Sequence, residues 1–575
     1  MNEWGSAFEA RDDLKRYKSA SIGLFALQLK FGIEDIHSVA ADAITDGGDD
    51  KKCDIVYINS GEKYAVIAQC YLAETTHGEA KANKASGLHA ALAWLISSDV
   101  KTLPVSIKGA AIELRDALTA NVIERIYVLY IHNKNESVNV ERELVVVANT
   151  CRDLLEKNFS NSTASVYVNE IGQKCFSELY QNTTSQISVT DSFEFALKGG
   201  FEATGHNWNA FVTSIQLSRL KSIYRKYKNN LFSANIRDYL GSINKDENIN
   251  NNIKRSAAQT PDDFWVYNNG LTILTHNISV GPKKITIKGM SIVNGAQTTG
   301  AIANTKGKID PSATVLVRFV ETVDQSLLGD IIKYNNSQNK VTATDYRSND
   351  KIQKRLCIEM DSMRDAKYLG GRRGSTGDAI KRNPNLLPSY TVAQALLAFH
   401  KDPVVAYKQK SEIWYTDSYY QSIFNEKTTA KHIVFVYSLL KAIEDLKISY
   451  MNNQDLTESQ KKCNSFLRLR GATHILVRII AKSLETLLGQ RVSDLFMLSF
   501  SDKASPSMAK GYWGSIIETF IPLAAQSVDT LAIGINTDTA QQTVDKTQAL
   551  FESVAAVSKG THNYFDAFKR KVNIG

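Results

Sequence analysis

Hydrophobic and polar residues follow two kinds of pattern in the first third of the chain. Short apolar segments bounded by turn residues predict strands, and longer segments with apolar positions three or four residues apart predict helices. The predicted strands are residues 54–59, 64–71, 125–131 and 165–169, and the predicted helices are residues 8–31, 81–97 and 142–157. This alternation predicts an α/β domain with a mixed sheet over residues 1–190.

The last third of the chain has mainly the helical pattern. Its predicted helices are residues 392–400, 431–446, 472–488, 514–524 and 537–558. We therefore expect an α-helical domain over residues 391–575, through which the chain would contact a partner, a nucleic acid or a second copy of itself. Residues 191–390 mix both patterns and predict an α+β core. The whole chain is thus expected to be an α/β multidomain protein.

Three amide-rich segments lie in the predicted core. Residues 264–274 read FWVYNNGLTIL, residues 291–299 read SIVNGAQTT, and residues 333–341 read KYNNSQNKV after a predicted helix at 327–334. Asn-Gly pairs supply the positive φ angles of tight turns, and amide side chains offer both hydrogen-bond donors and acceptors. Either of the first two segments alone would indicate an ordinary hairpin turn. Together, the three segments predict a polar ligand site, whose amide residues would be Asn268, Asn269, Asn294, Gln297, Asn335 and Asn336.

Basic residues accompany the amide-rich segments. Residues 211–237 contain no acidic residue, and their apolar positions predict a helix with a cationic face, either a phosphate-binding surface or an ordinary solvated one. Arg318 lies within an apolar strand predicted at 314–320, so it must face solvent at an edge or reach a polar site. Arg237, Arg318 and Arg347 are expected beside the turns, where they would bind the phosphates of a nucleotide or a polynucleotide.

The order of these segments carries a family resemblance. NIRDYLG at residues 235–241 is followed by FWVYNNGLTI, IVNGAQT and KYNNSQNKV, and this order resembles the AIPR family, the abortive infection phage resistance proteins of bacteria. Four motifs in order are more specific than any one alone. The resemblance implies a role in antiphage defence, but it does not supply a reaction.

The N-terminal domain carries the candidate chemistry. Asp54 begins one predicted strand and Gln69 lies on the next, so the two could hold one Mg²⁺ ion, with Mn²⁺ as an alternative. The arrangement resembles the restriction-endonuclease-like, PD-(D/E)xK, nuclease fold in its Mrr-type branch. The resemblance implies that Asp54 and Gln69 are metal ligands and that Glu9 is an auxiliary carboxylate of the catalytic site.

One position departs from that nuclease pattern. The family has a lysine two residues after the position of Gln69, where this chain has Tyr71. A tyrosine brings no positive charge near neutral pH. Lys84 or Lys81, at the start of the next helix, could replace the missing lysine, and Lys84 is included among the candidate catalytic residues. The alternative is a degenerate nuclease fold that serves as a scaffold or binds DNA.

Length, charge and cysteine content limit the classes of protein to which the chain can belong. The chain has 575 residues, which predicts two to four domains, and a net charge of +8, which permits nucleic-acid binding without requiring it. The N-terminus has no signal-peptide pattern and no apolar segment approaches the length of a membrane span, so a cytoplasmic protein is expected. The 6 cysteines are scattered and form no C-x-x-C pair, which argues against a zinc ribbon.

Three functions follow as hypotheses. The leading one is a cytoplasmic antiphage protein whose N-terminal domain is a metal-dependent nuclease acting on DNA or RNA, regulated by the AIPR core. The second is a binding protein for nucleic acid or nucleotide in which the nuclease fold is degenerate. The third is nucleotide hydrolysis at the core itself, without a Walker A sequence.

Overall fold

The computed structural model divides the chain into two compact units. The first unit comprises residues 1–11, 29–31 and 173–341, and the second comprises residues 12–28, 32–172 and 342–575. The structure describes residues 3–46, 49–184, 187, 189–227, 231–232, 256, 260–303, 305, 309–336, 347, 350–370, 385–453, 455–501, 503–532, 534–558 and 565–574.

The N-terminal segment forms several short helices. They are α1 (Glu3–Glu9), α2 (Asp12–Lys15), α3 (Ala20–Phe31) and α4 (Ile36–Ala43). The single helix predicted over residues 8–31 was wrong. Lys18 has a left-handed backbone with φ of 50°, which a right-handed helix cannot contain, so the chain must start a new helix after it.

A four-stranded sheet of the second unit follows. Its strands β1 (Ile55–Asn59), β2 (Tyr64–Tyr71), β3 (Arg125–His132) and β4 (Ser165–Ile171) are arranged in that order. β1 and β2 are antiparallel, whereas β2, β3 and β4 are parallel. Parallel neighbours need crossover connections. These are provided by α5 (Ala82–Ile96) with α6 (Val105–Thr119), and by α7 (Val138–Asn158). The four predicted strands are confirmed.

The first unit contains a seven-stranded sheet among its described residues. Its elements are α8 (Gln173–Thr184), β5 (Val189–Ala196), β6 (Phe201–Thr204), β7 (Trp208–Gln216), α9 (Leu217–Tyr227), α10 (Phe264–Tyr267), β8 (Leu271–Thr275), β9 (Asn277–Val280), β10 (Lys284–Asn294), α11 (Ala296–Ala303), β11 (Thr314–Thr322) and α12 (Gln325–Asn336). The strand order is β5-β10-β8-β11-β7-β6, with β9 paired to β10. The strand predicted at 314–320 and the helix at 327–334 are confirmed.

Helix α9 corrects one detail of the predicted cationic face. Its apolar residues Leu217 and Leu220 are buried, as an amphipathic helix requires. Lys221 is also buried, however, and its Nζ donates to the main-chain oxygen of Thr305 at 2.7 Å. The exposed cations of this helix are therefore the arginines and lysine on its other side, Arg219, Arg225 and Lys226.

The C-terminal region is mostly helical, as predicted. Its helices are α13 (Lys351–Asp361), α14 (Ser389–His400), α15 (Pro403–Lys408), α16 (Glu412–Tyr415), α17 (Asp417–Ile423), α18 (Ala430–Asn452), α19 (Glu458–Arg468), α20 (Ala472–Lys482), α21 (Leu484–Leu488), α22 (Pro506–Ala524), α23 (Val528–Leu531), α24 (Thr537–Ser558) and α25 (Asp566–Lys569). Strands β12 (Ser499–Phe500) and β13 (Val572–Asn573) pair with each other. The helix predicted at 472–488 is two helices, because α20 ends before Ser483.

The N-terminal sheet and the C-terminal helices belong to the same unit. The division into three domains at residues 190 and 390 stays a prediction, since a single compact unit can hold more than one domain. Within the described part of the chain, every helix is too short or too polar to cross a membrane.

Candidate functional site

Asp54 lies directly before β1 and forms hydrogen bonds with both neighbours of Gln69 on β2. Its main-chain N–H donates to the Ala68 carbonyl at 2.9 Å, and its Oδ2 accepts a hydrogen bond from the Cys70 N–H at 2.6 Å. The antiparallel pairing of β1 with β2 fixes this arrangement. The two predicted metal ligands thus lie on adjoining segments of one sheet.

Two further carboxylates accompany Asp54. Ligand oxygens of Asp46, Asp50 and Asp54 all lie within 4.8 Å of one another, and we call these three residues the carboxylate cluster. Ser19 Oγ donates to Asp46 at 2.6 Å, and the Lys52 N–H donates to Asp50 at 2.9 Å. These bonds orient the outer two members of the cluster.

Sequence reasoning missed Asp46 and Asp50 as site residues. Their regular spacing, four residues apart and four residues before Asp54, is a signal that could have found them. The turn that brings the three carboxylates together is less visible in the sequence. It uses left-handed backbone at Lys51 and Lys52, with φ of 54° and 66°, and lysine rarely adopts that conformation.

The electrostatics of the cluster favour a bound proton or cation. The pKa of Asp54 is raised to about 7, chiefly by burial and also by the negative charges of Asp46 and Asp50. The hydrogen bond from Cys70 and the positive charge of Lys84 act in the opposite direction. Burial also raises the pKa of Asp50. Three carboxylates this close are stabilised when a positive charge is shared among them.

Gln69 adds an oxygen that has no hydrogen-bond partner among the described residues. The side chain is 8% exposed, and its Oε1 is buried. A buried polar atom without a partner costs free energy, so native proteins usually satisfy it with water or a ligand. Carboxylate and amide oxygens are ligands that Mg²⁺ and Mn²⁺ accept. The residues present therefore fit a divalent cation.

A glycine makes room for that amide. Gly87 of α5 faces Gln69, and a Cβ atom built on it would lie 3.0 Å from Gln69 Oε1 and 3.2 Å from the Cβ of Lys52. Both contacts would be tighter than ordinary van der Waals contact. The glycine thus leaves the space that the Gln69 side chain occupies.

Lys84 lies next to Tyr71, the residue at the position where the nuclease family has a lysine. It is on the first turn of α5, and its Nζ is 3.7 Å from the centroid of the Tyr71 ring. Its positive charge lowers the pKa of Asp54, so it acts electrostatically on the cluster. Glu9, by contrast, is exposed at the end of α1 in the first unit, and its auxiliary role stays a prediction.

The first unit joins two of the amide-rich segments across its sheet. Asn294 of β10 pairs with Thr272 of β8, and Arg318 of β11 pairs with Thr272 from the other side. The Arg318 guanidinium donates to Thr272 Oγ1 at 3.0 Å and to Asn335 Oδ1 at 2.9 Å. Of the two alternatives for Arg318, the structure thus shows contact with polar side chains.

The two turns also touch each other. Asn268 donates to Thr298 Oγ1 at 3.2 Å and accepts from the Gly270 N–H at 3.1 Å. Gly295 has φ of 98°, and a Cβ atom there would lie 2.1 Å from Leu271. Neither turn is a simple hairpin, because the first is entered from helix α10 and the second leads into helix α11. We call Asn268, Thr272, Asn294, Thr298, Arg318 and Asn335 the amide core.

The remaining predicted ligand residues are placed as follows. Asn269 is exposed in the first turn. Arg347 belongs to the second unit, where it donates to the Trp414 carbonyl at 3.1 Å and forms an ion pair with Asp417. Arg237 and the side chains of Gln297 and Asn336 lie outside the described residues. Ligand binding stays a prediction for all of the predicted ligand residues, including those of the amide core.

Comparison with known proteins gives one match. The model of the AIPR protein family matches residues 232–555, more than half of the chain. The matched segment contains the amide core and most of the C-terminal helices, but it does not reach the carboxylate cluster. Comparison with curated proteins and with solved structures found no match.

Proposed function

Since the chain belongs to the AIPR family, we propose that it acts in bacterial antiphage defence, and that it does so by hydrolysing phosphodiesters of DNA or RNA at the carboxylate cluster. The observation that carries the nuclease part is the buried Oε1 of Gln69, which has no partner among the described residues and lies on the strand hydrogen-bonded to Asp54, one of three crowded carboxylates. An acidic cluster alone is common on protein surfaces. A buried amide oxygen without a partner among the described residues adds a ligand position that packing does not explain.

The residues of the site divide the chemistry among them. Asp46, Asp50, Asp54 and Gln69 offer oxygen ligands to Mg²⁺ or Mn²⁺. A divalent cation bound there supplies positive charge at the phosphate and lowers the pKa of a water molecule. Lys84 contributes a second positive charge, which favours the negative charge that develops on the phosphate during attack. In the reaction, a water molecule loses a proton as its oxygen bonds to phosphorus, the bond to the leaving oxygen breaks, and that oxygen takes up a proton.

Cleavage assays with the full-length chain test this proposal. Single- and double-stranded DNA and RNA are incubated with the protein and Mn²⁺. We expect Asp54→Asn and Gln69→Ala to lower the cleavage rate at least about a hundredfold, and Lys84→Ala about tenfold to a hundredfold, because each removes a ligand or a charge.

The matched control is Asp49→Asn. Asp49 lies in the same loop, is 60% exposed and pairs with Lys51 rather than with the cluster, so its loss should leave cleavage unchanged. Intact substrates of every form with the wild-type protein would count against the nuclease proposal.

The amide core supports a second candidate function, binding of nucleic acid or a nucleotide. The supporting observation is the exposed Arg318 guanidinium, which lies on the strand next to β8 and is held by Thr272 and Asn335. If the chain acts through this second function, Arg318→Ala or Asn294→Ala should abolish phage protection, whereas Asp54→Asn should retain it. Release of phosphate from ATP or GTP, lost in Arg318→Ala, would extend the role of the core to nucleotide hydrolysis.

A further inference from the structure

A second buried polar side chain lies on the strand next to Gln69. Tyr130 of β3 is 0% exposed, and its hydroxyl is buried without a hydrogen-bond partner in the part of the chain that the structure describes. The parallel register of β2 and β3 pairs Tyr130 directly with Gln69. Two unsatisfied polar side chains thus occupy matching positions on neighbouring strands.

The surroundings of the Tyr130 ring are largely apolar. Tyr130 belongs to the core cluster that also contains Ile67, Val128 and Leu88 of α5, and Tyr71 packs against the same cluster. In such surroundings each unsatisfied polar atom costs roughly 1–3 kcal/mol. A phenylalanine would fill the same space without that cost, so packing gives no reason for the hydroxyl.

The two atoms have complementary hydrogen-bonding chemistry. A tyrosine hydroxyl donates one hydrogen bond, and an amide oxygen has two lone pairs. Burial raises the pKa of Tyr130, and the negative charge of Glu170 raises it further, so the hydroxyl keeps its proton at neutral pH. A buried water is stable where it finds two or more polar partners, and this pair provides two.

We propose that Tyr130 is a positioning residue of the nuclease site: its hydroxyl and Gln69 Oε1 hold one water molecule between β2 and β3, which fixes the Gln69 amide for cation binding. The proposal rests on the proposed function, because it assigns Gln69 a ligand role. Gln69 uses one lone pair toward the water and keeps the other for the cation.

The test compares Tyr130→Phe with the wild-type full-length protein in two measurements. Titration with Mn²⁺, followed by the rise in the thermal midpoint of unfolding, should show an affinity lowered about tenfold or more, as for other groups that orient a metal ligand. Without metal, the thermal midpoint should change by less than about 5 °C, because the substitution removes only the hydrogen bond from the hydroxyl to the water. A purely structural tyrosine would instead lose stability.

Two further variants test whether a lowered Mn²⁺ affinity is specific to the Tyr130 hydroxyl and acts through Gln69. Tyr127→Phe is the matched control, since Tyr127 lies on the same strand, on the opposite face, with its ring stacked on Tyr167 at 5.3 Å. It should leave Mn²⁺ affinity unchanged. The double variant Tyr130→Phe with Gln69→Ala should bind Mn²⁺ no more weakly than Gln69→Ala alone, because the tyrosine acts through the glutamine.

The possible results distinguish a failure of the role given to Tyr130 from a failure of the proposed metal site. Wild-type Mn²⁺ affinity in Tyr130→Phe, with weakened binding in Gln69→Ala and Asp54→Asn, overturns the role of Tyr130 and leaves the metal site standing. A thermal midpoint that falls by more than about 5 °C makes the hydroxyl structural and also overturns it. Absence of Mn²⁺ binding by the wild-type protein refutes the metal site, and the role of Tyr130 with it.

Discussion

At the scale of single residues, Asp54 shows how the surroundings set the chemistry of a side chain. Its pKa is about 7 in the folded protein, chiefly because of burial, whereas an aspartate in an unfolded chain has a pKa of about 3.9. Between these values the folded state binds a proton that the unfolded state releases. The free energy of unfolding therefore falls as the pH rises from about 4 to about 7, and the full loss is present above that range.

The first prediction concerns Asp54→Asn, which keeps the shape of the side chain and removes its charge. Without metal at pH 8, we expect this variant to unfold with a free energy higher than that of wild type by on the order of 3 kcal/mol. The difference should shrink towards pH 4, where both proteins are neutral at this position. Urea unfolding in EDTA across this pH range measures it.

Asp49→Asn serves as the control. Because the carboxylate that it removes is exposed, the free energy of unfolding of this variant should depend on pH as in the wild type. Parallel profiles for wild type and Asp54→Asn would contradict the prediction, because they would show that the Asp54 carboxyl has the same pKa in both states. With Mn²⁺ present at pH 8 the order should reverse, as the cation stabilises the ionised form of Asp54.

At the scale of elements, helix α5 presents two residues of one face to the candidate metal site. Lys84 lies over Tyr71, and one turn later Gly87 leaves room for the Gln69 amide. A glycine inside a helix costs roughly 0.5–1 kcal/mol relative to alanine, so its presence here requires a compensating reason. The space it leaves for Gln69 is such a reason.

The second prediction is that Gly87→Ala weakens Mn²⁺ binding about tenfold, because the new methyl group must displace Gln69 Oε1 or Lys52. Gly514→Ala is the matched control. Gly514 lies inside helix α22, and a Cβ atom added there would have no atom within 4 Å, so the substitution should leave Mn²⁺ binding unchanged and stabilise the protein slightly. Equal Mn²⁺ affinity in Gly87→Ala and wild type would refute the steric argument.

At the scale of the whole molecule, the second unit is assembled from segments far apart in sequence. Buried ion pairs connect them: Lys447 of α18 lies 2.8 Å from Asp42 of α4, and Lys441 lies 3.2 Å from Asp35. The Arg470 guanidinium donates to the Val56 carbonyl of β1 at 2.8 Å. These contacts join the sheet that carries the candidate nuclease site to helices within the family match.

The third prediction tests this connection. Lys447→Met removes the cation that is hydrogen-bonded to Asp42 and leaves only the positive charge of Arg470 to act on this carboxylate. We expect a loss of up to roughly 3–5 kcal/mol in the free energy of unfolding of the second unit. The double variant Lys447→Met with Asp42→Leu should recover most of this loss, because it removes both charges. Urea unfolding measures the three proteins.

An exposed pair supplies the control for that experiment. Lys461 and Glu458 lie 2.7 Å apart with side chains 59% and 86% exposed, so Lys461→Met should leave the free energy of unfolding nearly unchanged. If Lys447→Met is equally harmless, the buried pair does not hold the segments together.

Much of the secondary structure could be predicted from the sequence, because local apolar patterns and turn residues determine it. The four strands of the N-terminal sheet and helix α24 (Thr537–Ser558) follow directly from such patterns. Breaks such as the one at Lys18 could not be predicted, since lysine is a good helix former and only packing holds it in a left-handed conformation. The candidate site was predictable in part, through Asp54, Gln69 and Lys84.

What the sequence by itself determined is the kind of residue available: a carboxylate before one strand, an amide on the next, and a family pattern of amide-rich turns. Only the tertiary structure decided which of these atoms lack partners among the described residues and which lie together. The three carboxylates meet because a turn folds back, and Gln69 and Tyr130 become a pair because two strands align in register. Burial and proximity arise from contacts between distant segments, and no local pattern specifies them.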